Sequence, residues 1–221
     1  MTTHRTPLRS LLLLVAAVAL LPVLSRAGSS TGVAPSQSGA PMDTLADSYA
    51  REAKGDAKGA AAAMKIAADV TPQSYFARLR LAYLLLHSKD ASAAVESYRI
   101  AATLAPAAVE PLLGEQQALV SLARFDEAEK TGLAIVERDP KSYLGLSRLA
   151  WTQYSLKKYA AALQTYQSVL DLYPADAEMR AGIGYSLLAL GKKTDAAAAF
   201  SAVLATMPGH KGATDGLALC K

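Results

Sequence analysis

A proline returns every 34 residues along most of this chain, and this spacing constrains the fold more than any other feature. The five prolines are Pro72, Pro106, Pro140, Pro174 and Pro208. The residues before each one are mostly strong helix formers, and the residue that precedes a proline is disfavoured in helical conformation. Each helix is therefore predicted to end close to its proline. A fixed period of this length is typical of solenoids, in which one helical or stranded unit is stacked repeatedly.

Small and apolar residues also recur at fixed distances from these prolines. An alanine stands twelve residues before each one, and these marker alanines are Ala60, Ala94, Ala128, Ala162 and Ala196. The positions four and seven residues after the alanine are mostly large or apolar, which traces one face of a helix. A second helical pattern lies upstream, as in Tyr75 to His87, and a short polar break separates the two. Each period is thus predicted to be a helix, a tight turn, a second helix and a proline-marked turn.

The 34-residue length, the marker alanine, the large residue four positions later and the closing proline together resemble the tetratricopeptide repeat (TPR) family. Phe125 and Tyr159 match the family's aromatic residue at the start of the second helix, and Gly184 matches its small residue in the first helix. The resemblance covers five repeats, at residues 41–74, 75–108, 109–142, 143–176 and 177–210. Residues 211–221 look like a truncated capping helix. The resemblance implies an all-α fold, an α-solenoid of stacked helix-turn-helix hairpins wound into a right-handed superhelix.

Two repeats depart from the family's pattern. Asp47 and Ser48 stand where the first repeat should have an apolar and a small residue, so its first helix is expected to fray or to act as a cap. The third repeat has Glu115, Gln116 and Gly132 at packing positions. We expect a looser or wider packing of its two helices.

The N-terminal segment is predicted to be an export signal. A weakly basic start is followed by 14 apolar residues from Leu11 to Leu24, with small residues ahead of Gly28. We predict a cleaved signal peptide at residues 1–27, with an uncleaved membrane anchor as the alternative. Residues 28–42 are rich in Gly, Ser and Pro and are predicted to be a flexible linker, followed by the solenoid at 43–221. The expected location is the periplasm or cell envelope of a bacterium, without stable membrane insertion if the signal is cleaved.

Charge and composition argue against two classes of function. Three of the 23 basic residues and none of the 19 acidic residues lie within residues 1–27, so the remaining chain is nearly neutral and no nucleic-acid partner is predicted. Beyond the signal, the chain has two histidines, His87 and His210, and one cysteine, Cys220. It contains no phosphate-binding glycine loop and no paired histidine–carboxylate motif. We predict that the protein is not an enzyme and has no cofactor, metal or catalytic residue.

One position of the predicted first helices is rich in aromatic residues with a polar edge. This position lies eleven residues before each marker alanine, and its residues, here called the ladder, are Tyr49, Tyr83, Gln117, Trp151 and Tyr185. Phe76 and Tyr154 lie on the same stripe of helix surface. The family resemblance implies that first helices line the concave side of the superhelix and hold peptides there. Two interpretations remain open, because these rings could bind a partner or could pack between adjacent first helices.

The predicted function is an exported protein–protein interaction scaffold or adaptor. It would bind a peptide or protein segment of unknown identity in an apolar, aromatic-lined groove, in envelope assembly or secretion. Some TPR proteins grip a C-terminal carboxylate with lysine and asparagine, but this chain has no asparagine and no cation four residues before the ladder. We therefore expect recognition of side chains. The alternative is a self-associating structural subunit of an envelope complex, with no separate peptide ligand.

Overall fold

The computed structural model describes residues 40–221, with side chains from Asp43 onward. This part of the chain forms helices and no strands: α1 (Ala40–Ala53), α2 (Ala57–Val70), α3 (Tyr75–His87), α4 (Ala91–Leu104), α5 (Glu110–Ser121), α6 (Phe125–Arg138), α7 (Tyr143–Ser155), α8 (Tyr159–Leu172), α9 (Ala177–Ala189), α10 (Lys193–Thr206) and α11 (Lys211–Leu219). The predicted signal peptide and residues 28–39 of the predicted linker lie outside the described residues. Residues 40–42, the end of that linker, already belong to α1. None of the described helices is long and apolar enough to cross a membrane.

The helices pack as consecutive antiparallel pairs, and each pair packs on the next. From α3 onward, successive first helices (α3, α5, α7, α9 and α11) also contact one another. Successive second helices (α2, α4, α6, α8 and α10) make no such contact within the described residues. First helices therefore lie on the inner, more tightly spaced side of the curve, and second helices lie on the outer side. The predicted α-solenoid is confirmed.

Short side chains set where the first helices begin. Ser74, Ser142 and Asp176 each accept a hydrogen bond from a backbone N–H in the first turn of the helix that follows, at 3.2, 3.3 and 3.0 Å. His210 does the same for α11, where Nδ1 accepts from the Ala213 N–H at 3.0 Å. Each of these caps satisfies a donor that has no partner inside its helix.

All five turns inside the repeats use a residue in the left-handed region at the same position. Two of these residues are glycines, Gly55 and Gly191, each with a φ of 77°. The other three are Lys89, Ala123 and Lys157, with φ values of 71°, 55° and 60°. A side chain at positive φ is strained, so the tight hairpin imposes this conformation even where the sequence does not supply glycine.

Within three of the hairpins, a small residue on the first helix faces a large ring on the second. Ala82 packs with Tyr98, Ala150 packs with Tyr166, and Gly184 lies against the Phe200 ring. The five marker alanines are 0% exposed and let the paired helices approach closely. Burial of one large side chain contributes about 1.5–3 kcal/mol, so these pairs are major sources of stability.

The third repeat reverses this pairing of small and large residues. Gln116 on α5 is the large member and Gly132 on α6 is the small one, and a Cβ added at Gly132 would lie 2.5 Å from Gln116 Nε2. The glutamine thus fills the space that the missing ring leaves, and α6 still ends in step with Pro140. This arrangement lowers the free energy of unfolding, because the fully buried Gln116 amide is removed from water and has no protein hydrogen-bond partner on either Nε2 or Oε1.

The first repeat keeps its helix despite its unusual residues. Ser48 is fully buried, and its hydroxyl donates to the Ala60 carbonyl oxygen at 2.9 Å. Asp47 is exposed and pairs with Arg51 at 2.8 Å. Serine therefore serves as the small residue of this hairpin, with its polar group satisfied.

Rings and glycines join three of the repeat junctions. A Cβ added at Gly114, Gly182 or Gly216 would lie 2.2, 2.6 or 2.3 Å from the ring of Tyr98, Tyr166 or Phe200 respectively, each from the preceding second helix. These glycines therefore allow a ring to pack directly on the backbone of the next first helix. The equivalent positions at the other two junctions are Arg80 and Arg148, which follow repeats whose second helix has no ring at that place.

Candidate binding groove

The inner face of the solenoid exposes part of the predicted ladder and buries the rest. Tyr49, Phe76 and Trp151 are 46%, 51% and 43% exposed. The other four predicted site residues are half-buried: Tyr83, Gln117, Tyr154 and Tyr185. The surface along the first helices is therefore not a uniform row of free rings, and each position has its own surroundings.

At the N-terminal end, the ladder ring stacks with a cation from the next repeat. The Arg80 guanidinium carbon lies 3.6 Å from the centroid of the Tyr49 ring, and Arg80 Nη2 donates to Glu52 Oε2 at 2.5 Å. These contacts link α1 to α3, which make no close backbone contact with each other. One face of Tyr49 is thus used in packing, and the charge of Arg80 is balanced.

In the second repeat, the ladder ring packs against its own helix. The Tyr83 and His87 ring centroids are 3.9 Å apart, and His87 Nδ1 donates to the Tyr83 carbonyl oxygen at 2.8 Å. Phe76, two turns earlier on α3, has no ring partner among the described residues and projects into solvent.

In the third repeat, Gln117 interrupts the aromatic ladder and holds an arginine from the next repeat. Arg148 Nη2 donates to Gln117 Oε1 at 3.0 Å, and Arg148 Nη1 donates to the Leu113 carbonyl oxygen at 2.9 Å. Burial lowers the pKa of the Arg148 guanidinium, although arginine remains charged at neutral pH. The centre of the groove therefore carries a cation that spans α5 and α7.

Trp151 lies one turn beyond Arg148 on α7. Its ring meets the Phe125 ring edge-on, with centroids 5.4 Å apart and an interplanar angle of 73°. This contact fixes the indole while leaving much of it exposed. Tyr154, a further turn along, packs against Tyr159 with ring centroids 5.3 Å apart.

At the C-terminal end, the ladder residue joins the last hairpin to α11. The Tyr185 hydroxyl donates to the Gly212 carbonyl oxygen at 2.7 Å, and its ring meets the Phe200 ring edge-on at 5.0 Å. Burial raises the pKa of the Tyr185 phenol, and the nearby Asp215 carboxylate raises it further. This ring is engaged within the protein, in contrast to Trp151.

Sequence reasoning missed the two arginines of the inner face. They lie three residues before the ladder, where the five repeats have Ala46, Arg80, Gly114, Arg148 and Gly182. The sequence shows an alternation of arginine with glycine at this position. That alternation does not by itself indicate inner-face cations, because its cause is the packing of rings on the glycines in the folded chain. Within residues 43–221, no three His, Cys, Asp or Glu side chains come together as metal ligands could.

Comparison with known proteins matches this architecture. The tetratricopeptide repeat family model matches residues 45–109, 115–177 and 147–211. A curated relative is the small glutamine-rich tetratricopeptide repeat-containing protein 2 of Saccharomyces cerevisiae, 31% identical over 85 residues. That match covers 38% of this chain and 25% of the yeast protein, so it spans only a minor part of the relative.

Solved structures share the fold at low sequence identity. A tetratricopeptide repeat protein from Parabacteroides merdae superimposes with a TM-score of 0.74 and 18% identity, over 82% of this chain and 72% of that one. MamA from Desulfovibrio magneticus, in a form spanning residue 41 to the end, gives a TM-score of 0.70 and 15% identity, over 77% of this chain and 97% of that one. At such identities the likeness concerns the fold alone.

Proposed function

The chain belongs to the tetratricopeptide repeat family, and on that basis we propose that it is an exported scaffold that binds a segment of another protein along its first helices. Proteins of this family generally act as scaffolds for protein–protein interaction, and this is the general function of the chain. The finer proposal is that the inner face, from Tyr49 to Tyr185, forms the groove and that its exposed rings make the principal contacts.

The main support for this proposal is the exposure of Phe76 and Trp151 on the inner face. Leu144, which occupies the same position in the fourth repeat as Phe76 does in the second, is also exposed on that face. Large rings open to solvent are typical of binding hot spots because they supply contact area, and Trp151 is in addition held by Phe125, which lowers the entropic cost of binding. Packing between adjacent first helices does not account for these side chains, in contrast to Tyr185.

The proposed location rests on the sequence of residues 1–27. A basic start, a short apolar stretch and small residues before Gly28 favour secretion and cleavage. An envelope role follows from that location, in the assembly or secretion of envelope components. Mass spectrometry of the protein purified from an envelope fraction should give an N-terminus at Gly28, and a mature chain that retains Met1 in the cytoplasm would contradict the proposal.

Trp151→Ala tests the binding surface directly. We expect the variant to keep its helical circular dichroism and to lose at least about tenfold in capture of the partner from envelope extracts, since a hot-spot residue contributes about 2 kcal/mol or more. The matched control is Leu133→Ala, which removes a side chain of similar exposure, 52%, from the second helix α6.

Equal capture by Trp151→Ala and the wild type would contradict the proposed groove. Light scattering of the mature chain addresses the alternative function. A defined oligomer that Trp151→Ala leaves intact, together with no captured partner, would favour a self-associating subunit instead.

A further inference from the structure

We propose that the centre of the groove recognises an acidic side chain, with Arg148 as the residue that binds it and Gln117 as the residue that positions Arg148. The occupant is an extended peptide segment that carries Asp or Glu close to an apolar residue. This inference rests on the proposed function, since it assigns a ligand chemistry to the same groove.

First, the charge of Arg148 is unbalanced. Within the described residues, no carboxylate oxygen lies within 4.0 Å of its guanidinium, whereas five of the seven other arginines have such a partner: Arg51, Arg78, Arg80, Arg99 and Arg124. The other two also lack one, but Arg138 is exposed and Arg180 donates to the Pro174 carbonyl oxygen at an exposed site. Glu115, on the same helix as Gln117, is already paired with Arg99 at 2.8 Å. A cation that is largely withdrawn from water without a counter-ion is costly, and a carboxylate arriving with a ligand relieves that cost.

Second, the guanidinium is already oriented. Its bonds to the Leu113 carbonyl oxygen and to Gln117 Oε1 use one N–H from each terminal nitrogen, at 2.9 and 3.0 Å. A guanidinium has five N–H donors in one plane, so donors remain for a carboxylate in a fixed geometry. Held groups lose little entropy on binding, which favours recognition. This role also explains why the ladder has glutamine instead of a ring in the third repeat.

Third, Arg148 differs from Arg80, which occupies the same position two repeats earlier. Arg80 stacks on Tyr49 and is neutralised by Glu52, so its charge is satisfied inside the protein. Arg148 has neither an acidic partner nor a stacked ring among the described residues. At equivalent positions, the charge of Arg80 is thus balanced within the protein and the charge of Arg148 is not. Only Arg148 therefore has a charge that an acidic ligand could balance.

Fourth, the spacing on α7 sets the spacing in the ligand. Arg148 and Trp151 are three residues apart on this helix, so their Cβ atoms are about 5–6 Å apart on one face. Alternate side chains of an extended peptide lie on one face about 6.5–7 Å apart. The acid and the apolar residue are therefore expected to be separated by one residue, with the acid at Arg148 and the apolar side chain on the Trp151 ring.

The first experiment selects ligands from random sequences, so that the identity of the natural partner is not needed. A displayed library of random dodecapeptides is panned on the mature wild type, on Arg148→Met and on Arg80→Met, each checked by circular dichroism. The wild type and Arg80→Met should select peptides with Asp or Glu two positions from an apolar residue. Arg148→Met should keep the apolar preference and lose the acidic one.

The second experiment uses the wild-type protein alone, so that it does not depend on the folding of a variant. A selected peptide is synthesised with its acid and with the matching amide, Glu to Gln or Asp to Asn. The amide should bind at least about tenfold more weakly, because a hydrogen bond between charged groups is lost. As an additional measurement, the difference between the two peptides should shrink to less than about threefold on Arg148→Met.

Each outcome separates the two proposals. Selected peptides that are apolar but show no acidic preference, or an amide peptide that binds the wild type equally well, would overturn the acidic subsite and leave the groove standing. An acidic preference that persists in Arg148→Met would also overturn it. Failure of the wild type to select any peptide family would overturn the proposed function itself.

Discussion

Individual aromatic side chains on the inner face differ in what their neighbours leave free. Tyr185 has both its hydroxyl and its ring engaged by the last hairpin and α11, whereas Trp151 is held along one edge only. Tyr49 lies between these cases, with one face under Arg80. The same repeat position therefore supports packing at the ends of the solenoid and leaves a ring available near its middle.

The ring-on-glycine junctions give a prediction for Gly182→Ala. The new Cβ would lie 2.6 Å from the Tyr166 ring, so either the ring or α9 must shift. We expect a loss of about 1–3 kcal/mol in the free energy of unfolding, measured by urea denaturation. The matched control is Gly209→Ala, since a Cβ there has no atom within 4 Å. Equal stability of the two variants would contradict the packing described for this junction.

The buried phenol of Tyr98 gives a prediction for alkaline pH. Burial raises the pKa of Tyr98 to about 12 from an ordinary 10.0, although the Arg148 cation acts in the opposite direction. Because the folded-state pKa is raised, the stabilising contribution is complete below about pH 10 and is lost as the pH rises through about 12. Tyr98→Phe cannot ionise, so its unfolding free energy should fall less than that of the wild type over this range, by about 2 kcal/mol.

The comparison for Tyr98→Phe is made by urea denaturation at pH 8 and at several values up to pH 12. Tyr166→Phe is a parallel variant, because burial also raises the pKa of that phenol. Identical pH dependence of Tyr98→Phe and the wild type would show that the phenol titrates as it does in the unfolded chain.

Among the helices and turns, the left-handed turn residue stores strain in the three hairpins where it is not glycine. Ala123 adopts a φ of 55° where the first and last hairpins use glycine. Ala123→Gly should therefore raise the free energy of unfolding by about 0.5–1 kcal/mol, after the greater flexibility of glycine in the unfolded chain is taken into account.

The reverse substitution is the control for this prediction. Gly191→Ala places a side chain at a φ of 77° and should destabilise by a comparable amount, although a Cβ there has no neighbour within 4 Å. Thermal unfolding of both variants, compared with the wild type, measures these changes in stability. A destabilising effect of Ala123→Gly would show that the turn does not strain its alanine.

Helix ends were predictable from the sequence, but one pairing of helices was not. The recurring prolines mark the end of each second helix because proline acts locally on the residue before it. The exchange of Gln116 with Gly132 involves two residues on different helices, and each looks unfavourable when its own position is considered alone. The sequence predicts looser packing in this repeat but does not predict that the Gln116 side chain lies over Gly132, because that contact joins two helices.

Across the molecule as a whole, the repeat junctions fall into two kinds. Rings on glycine join α4 to α5, α8 to α9 and α10 to α11. Arg80 and Arg148 occupy the equivalent place where α3 follows α2 and where α7 follows α6. Along most of the solenoid, the two kinds of junction alternate from one repeat to the next. The two inner-face arginines therefore lie two repeats, or 68 residues, apart.

The architecture could be predicted from the sequence far better than the groove. A period, a helical pattern and a proline are local features, and stacking follows because neither helix of a hairpin can cover its apolar face alone. Whether a ring is free depends on residues brought from the next repeat, such as Gly212 for Tyr185 and Arg80 for Tyr49. These contacts span about 27 to 31 residues and leave no signal at the ring's own position.

The proposal that the inner face of the solenoid is the binding surface can be tested by the fluorescence of Trp151, without any variant. This residue is the single tryptophan of the chain and is 43% exposed, so its emission reports on the middle of the groove without a label. On titration with a peptide selected on the wild type, we predict a shift of the emission to shorter wavelength and a clear loss of quenching by iodide. Saturable binding of that peptide with unchanged emission and unchanged quenching would place the ligand elsewhere and would contradict the proposal.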